Sequence, residues 1–155
     1  HGLLGNLMVS FSVGMTFVFG GLSVELPFNK VVLFFAVIAA LVDLGEEIAA
    51  DSMDVKGDKL IDSKSIAIKH GKEKALRVSA FIFVLVIVLS LIPFLLQWFN
   101  KAYLIPIAVM DIFIGYSTFR LIRSKDEVGR KYIRLLYLGA TFGLVIFLIM
   151  RLMEL

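Results

Sequence analysis

Cysteine is absent from the sequence, which excludes disulfides and thiolate metal sites. Histidine is nearly absent: His70 stands alone in a basic loop, with no second imidazole nearby to share a metal. No D-x-D-x-D-G run with a closing Glu occurs, so an EF-hand is excluded as well. No internal repeat, low-complexity tract or soluble domain is visible. A basic n-region and a small-residue cleavage site are missing before the first apolar run, so no signal peptide is expected. The sequence opens at His1, inside an apolar stretch, which points to a fragment or a processed product.

Apolar residues are what the sequence has in excess. They make up 59% of the 155 residues, and mean hydropathy is +0.92. Soluble domains are about half apolar or less. The excess is gathered into runs long enough, at roughly 20 residues, to cross a bilayer as helices. Five such runs are expected to span: Leu3 to Val24, Val31 to Ala50, Leu76 to Gln97, Ala102 to Ile122 and Tyr132 to Met153. The fold class this predicts is all-α, a polytopic transmembrane helical bundle forming one domain over residues 1–155. An acidic and basic loop over 51–75 interrupts it. Gly2, Gly5, Gly14, Gly20 and Gly21 in the first run would allow close helix approach. Pro93 should kink the third span rather than end it. Trp98 and Tyr103 flank the following turn, as aromatic residues do at membrane interfaces.

Basic residues predict the orientation. Lys56, Lys59, Lys64, Lys69, Lys72, Lys74 and Arg77 lie in one loop, and Arg120, Arg123, Lys125, Arg130, Lys131 and Arg134 in another; together they are 13 of the 16 Lys and Arg. With five spans both loops fall on one side, which the positive-inside rule makes cytoplasmic. The expected location is a cell membrane, with membrane lipids as neighbours and no nucleic acid as partner.

The one long polar run, from Glu46 to Gly71, holds the candidate site. Asp43, Glu47, Asp51, Asp54 and Asp58 are spaced four, four, three and four residues apart. On a continuous helix this places all five carboxyls on one face. Like charges so placed repel by a few tenths of a kcal/mol per pair. The stripe begins inside an apolar segment, where acids are costly and usually functional. The competing reading is a solvated helix face. The spacing predicts that the second helix continues past the membrane surface through Asp54, with Asp51 and Asp54 toward the bundle and Gly57 as a stop signal.

Oxygen donors without a Cys or His cluster favour a hard cation, Mg²⁺ or Ca²⁺. Mg²⁺ is commonly held by one or two carboxylates together with substrate phosphates. Lys56, Lys59 and Lys64 are positioned to meet the remaining phosphate charge. A phosphate head at the surface with a hydrophobic tail among helices describes a lipid diphosphate.

The run Asp51-Ser-Met-Asp54-Val-Lys-Gly57-Asp58-Lys, then Lys64-Ser-Ile-Ala, then His70-Gly71-Lys, resembles the second aspartate-rich motif of the UbiA superfamily of membrane prenyltransferases. That motif has the form D-x-x-D-x-x-G-D. The resemblance implies a nine-helix bundle with one such motif in each half, of which this chain matches the C-terminal five helices. It implies Mg²⁺ as cofactor, with Asp51, Asp54 and Asp58 as metal-side acids and catalytic residues. Lys59 and Lys64 become phosphate contacts. The implied partners are a prenyl diphosphate, a lipid or aromatic acceptor, and an N-terminal half absent from this sequence. Two departures stand out: Ile66-Ala67 replaces the common Leu-Pro, and the first motif, of the N-D-x-x-D type, is missing. Lys56 stands where family members often have an acid. The Lys-Ser-Ile-Ala stretch is similar to archaeal members, which implies transfer of a geranylgeranyl group to geranylgeranylglyceryl phosphate. The alternative acceptor is aromatic, for quinone, haem or chlorophyll-type products.

Asp111 lies mid-membrane, where a charge costs at least ~2.5–3.5 kcal/mol. It either lines the substrate cavity or is neutral or paired within the bundle. Asn6 is a helix–helix hydrogen-bond partner or a substrate contact. Two other function classes compete. A transporter would distribute acids at mid-membrane on several helices, and only Asp111 fits that pattern. A non-catalytic membrane fragment is the other.

Overall fold

The protein, seen in a computed structural model, is described over residues 2–60, 63–124 and 126–153, and the described residues contain helices and no strand. The helices are α1 (Leu3–Ser23), α2 (Lys30–Met53), α3 (Val55–Leu60), α4 (Ile66–His70), α5 (Lys72–Ser90), α6 (Ile92–Leu95), a 3₁₀ turn (Lys101–Tyr103), α7 (Leu104–Ile122) and α8 (Asp126–Leu152). Each expected spanning run is helical. Four of these segments are long and apolar enough to cross a membrane: Leu3–Ser23, Lys72–Leu95, Lys101–Ile122 and Val128–Leu152. The remaining one, α2, has the length at 24 residues but carries Asp43, Glu46, Glu47 and Asp51.

Local chemistry explains where the helices stop. After α1 the chain turns through Glu25, at φ 60°, and Pro27. α2 then starts on Asn29, whose side chain accepts from the Val31 amide at 2.8 Å, an N-cap. α4 starts on Ser65, whose hydroxyl accepts from the Ile68 amide. It ends at Gly71, at φ +88°, a conformation that favours glycine. Pro93 acts as a kink. α5 stops at Ser90 and helix resumes at Ile92, because proline cannot donate to the carbonyl four residues back.

The chain forms two compact units, residues 1–82 and 83–155. In the first, α1 packs on α2. Gly14 permits this, since a Cβ there would sit 2.8 Å from the Ala36 carbonyl oxygen and 3.1 Å from the Ala40 Cβ. Gly21 meets Leu26, Pro27 and Val32 in the same way, whereas Gly5 and Gly20 have nothing within 4 Å. Only part of the expected small-residue seam is therefore a contact. On another side of α2, Ile48 joins Ala67, Ala75 and Ile82 in a buried cluster. The Ser79 hydroxyl donates to the Gly45 carbonyl at 2.6 Å and ties α5 to α2.

In the second unit α7 packs on α8. Gly139 lies against the Phe113 side chain, and a Cβ at Gly143 would sit 2.8 Å from that of Met110. These glycines form a G-x-x-x-G pair of the kind that lets membrane helices approach closely. Phe94, Phe99, Tyr103 and Phe147 make an aromatic cluster, with ring centroids 4.9–5.9 Å apart.

Candidate active site at the polar end of the second helix

α2 presents its acids to α1. The Asn6 amide donates to Asp51 Oδ2 at 2.8 Å. One turn further along α1, Ser10 Oγ lies 2.7 Å from Asp43 Oδ2 and 2.7 Å from the Asn6 carbonyl oxygen. The two pairs run in opposite order along the two helices, 6 with 51 and 10 with 43, as in antiparallel helices. Asn6 and Ser10 are 7% and 3% exposed, so the pairs are made largely away from water. Hydrogen bonds to a charged acceptor are roughly twice as strong as neutral ones.

The expected five-acid stripe on one helix is not what forms. α2 ends at Met53, and Asp54 is its C-cap at φ −123°, ψ 33°. Asp54 also precedes α3, its carbonyl accepting from the Asp58 amide at 2.9 Å. Short acids favour such cap positions over helix interiors, and here that preference outweighs the helical spacing. Gly57 is not the stop either, since it lies within α3. A Cβ on it would sit 2.8–3.0 Å from the Asp54 carboxyl atoms. The glycine therefore leaves room for that side chain. Asp54 is exposed.

Asp51 and Asp58 are brought into each other's field. Burial raises the Asp51 carboxyl pKa above the ordinary carboxylate value; the Asn6 bond pulls it down, and the Asp58 charge pushes it up again. Asp58 Oδ2 is buried and makes no hydrogen bond. A desolvated carboxylate oxygen without a donor beside a second carboxylate is an arrangement that a hard cation relieves. No group of three or more Asp, Glu or His among the described residues is arranged to hold a metal by itself. The donor set fits a Mg²⁺ that takes one or two carboxylates here and its other ligands from phosphate, water or further acids.

Lys59 and Lys64 are exposed, on α3 and just before α4. The Lys56 side chain and the whole of Lys125 lie outside the described residues. Asp111 belongs to the second unit. Its Oδ2 accepts from Ser90 Oγ at 2.7 Å, while Oδ1 is buried without a partner. Asn6 makes the helix–helix hydrogen bond expected as one of its two readings, whereas the Ser10–Asp43 contact escaped the sequence reading. The glycine pair at 139 and 143 was also missed, despite its legible spacing.

Four helices long and apolar enough to cross a bilayer describe a multi-pass membrane protein. The family model for the UbiA prenyltransferase family matches residues 1–140, and the chain belongs to that family. It is 34% identical over 124 residues to a digeranylgeranylglyceryl phosphate synthase of Methanocaldococcus jannaschii, covering 80% of this chain and 43% of that protein. Against the Archaeoglobus fulgidus protein of the same name it is 31% identical over 148 residues, covering 93% and 50%. A solved structure from work on digeranylgeranylglyceryl phosphate synthase in membranes superposes with a TM-score of 0.83. The identity is 32%, with 94% of this chain and 52% of that one covered. The chain thus spans about half the length of the curated relatives it matches.

Proposed function

We propose that this chain is the C-terminal part of a UbiA-type prenyltransferase that moves a geranylgeranyl group from its diphosphate to geranylgeranylglyceryl phosphate. The names of the relatives support the product. The observation that carries the site is the Asp51–Asp58 pair, with the unpartnered Asp58 oxygen at the polar end of an otherwise apolar bundle. In the reaction the allylic C–O bond to diphosphate breaks and a C–O ether bond forms to the acceptor hydroxyl. The hydroxyl proton is lost and diphosphate departs.

Asp51 and Asp58 would hold Mg²⁺ on its protein side, with Asp54 at the exposed rim. Bound Mg²⁺ supplies Lewis-acid neutralisation of the charge that grows on the departing diphosphate. Lys59 and Lys64 bind the phosphate oxygens left outside that contact, as flexible point charges. Asn6 holds Asp51 in place by donating to one of its oxygens. The apolar helices take the prenyl tail and exclude water, so that the acceptor hydroxyl rather than water captures the allylic carbon. The acid rim lies on the cytoplasmic side of a cell membrane, as the basic loops direct. Asp111 lines the path of substrate within the second unit.

The test supplies the full-length protein with labelled geranylgeranyl diphosphate, geranylgeranylglyceryl phosphate and Mg²⁺. The expected result is labelled digeranylgeranylglyceryl phosphate that disappears with chelator. Label passing instead to an aromatic acceptor would assign the other acceptor class, and no transfer to either would overturn the reading.

A further inference from the structure

Asn6 sits on α1, outside the aspartate-rich motif, yet it is the side chain that touches the motif's first acid. Its amide donates to Asp51 Oδ2 at 2.8 Å. It is 7% exposed, and its backbone N–H donates to the Gly2 carbonyl at 3.1 Å, within the first turn of α1. That first turn is itself in contact with another part of the chain. Gly2, at φ +92°, lies against the Lys64–Ser65 peptide so closely that a Cβ would collide with it. The start of α1 therefore packs closely on the segment that follows α3, and Asn6 reaches Asp51 from the turn just after that contact. An amide suits this task because it donates to a carboxylate without adding a charge. An acid at the same place would add a third negative group beside Asp51 and Asp58.

We propose that Asn6 is a positioning residue for the cation site: by holding Asp51 Oδ2 it fixes the carboxylate that would face the metal. This rests on the reading of those two acids as the protein side of a Mg²⁺–diphosphate site. Groups that hydrogen-bond a metal-ligating carboxylate set its orientation, and losing one typically weakens metal affinity about 10- to 100-fold. Ser10 provides an internal comparison. It joins the same two helices through Asp43 but does not touch Asp51. A purely structural role for Asn6 would make the two positions behave alike.

The test measures binding of Mn²⁺, as a paramagnetic stand-in for Mg²⁺, to the full-length protein in detergent with inorganic pyrophosphate. Free Mn²⁺ is read by electron paramagnetic resonance and folding by thermal unfolding. Asn6→Ala is expected to weaken Mn²⁺ binding about 10- to 100-fold, and Ser10→Ala to leave it unchanged within error. In an Asp51→Asn background, Asn6→Ala should add nothing further, because its effect runs through Asp51. Asn6→Ser keeps the position polar but falls short of Asp51. It should show the same loss, and it serves if the alanine variant does not fold. Wild-type Mn²⁺ affinity in the folded Asn6 variants, with affinity lost in Asp51→Asn, would overturn the positioning role and leave the metal site standing. Wild-type affinity in Asp51→Asn itself would remove the metal site and the positioning role together.

Discussion

Replacing Asp51 or Asp58 with Asn separates charge from structure. At Asp51 the asparagine can present its carbonyl oxygen to the Asn6 amide, so the 2.8 Å bond survives. At Asp58 the buried Oδ2 has no hydrogen bond to lose. Each change therefore removes one negative charge and little else. Stability should hold or rise slightly, since burial and the Asp58 charge already disfavour ionised Asp51. Catalysis should suffer, because the neutralised charge is the one that grows as diphosphate leaves. Losing one preorganised electrostatic stabiliser costs about 10²–10³ in rate, or about 2.7–4 kcal/mol. Glu46→Gln is the control, because Glu46 lies about a quarter turn off the face shared by Asp43, Glu47 and Asp51. The assay is the initial rate of geranylgeranyl transfer against Mg²⁺ concentration, paired with Tm in detergent. Raising Mg²⁺ should recover part of the lost rate in both Asp variants. Near-wild-type rates in both would refute the assignment. So would a rate loss matched by an equal collapse of Tm, since that would make the acids structural.

The pH dependence of stability without metal follows from the raised Asp51 pKa. The proton-bound form contributes stability below the ordinary carboxylate pKa, and this is lost as pH rises through the higher folded value; Asp51→Asn should flatten Tm against pH in that window. Gly139→Ala should lower Tm, since its Cβ would collide with Phe113 and overpacking costs about 1–3 kcal/mol against the roughly 1 kcal/mol gained in helix propensity. Gly5→Ala, with nothing within 4 Å, should leave Tm unchanged or raise it. The 155-residue chain alone should not transfer geranylgeranyl groups, because the family resemblance implies another aspartate-rich motif, of the N-D-x-x-D type, that this sequence lacks. Turnover by the purified chain with Mg²⁺ would show that requirement to be wrong.

The spanning helices were legible because each is a long apolar run, and backbone polarity leaves such a run in lipid no alternative to helix. The kink at Pro93 was legible for a similar reason: one residue removes one hydrogen bond wherever it stands. The break at Asp54 was not legible from charge spacing. The four-four-three-four pattern is satisfied equally by one long helix or by two helices meeting at an acid. The choice is made locally, by Asp54 capping α3 and by its carboxyl folding over Gly57. Periodicity reports a face, and it does not report whether the helix under that face is continuous.

That break bears on the site. On one unbroken helix the five acids would have stood in a row, each spaced from the next and none facing another. Interrupting the helix at Asp54 lets α3 bring Asp58 back into the field of Asp51, and it leaves Asp54 outside at the exposed rim. Two carboxylates from successive helices, one of them steadied from α1 by Asn6, form an edge and not a cage. An edge of that kind cannot satisfy a divalent cation alone, and no closed cluster of three such ligands exists among the described residues. Mg²⁺ binds well to one or two carboxylates when phosphate oxygens complete its shell. Weak binding to the protein alone and tight binding with diphosphate are then one property, which couples the metal's arrival to the presence of the group it helps to leave.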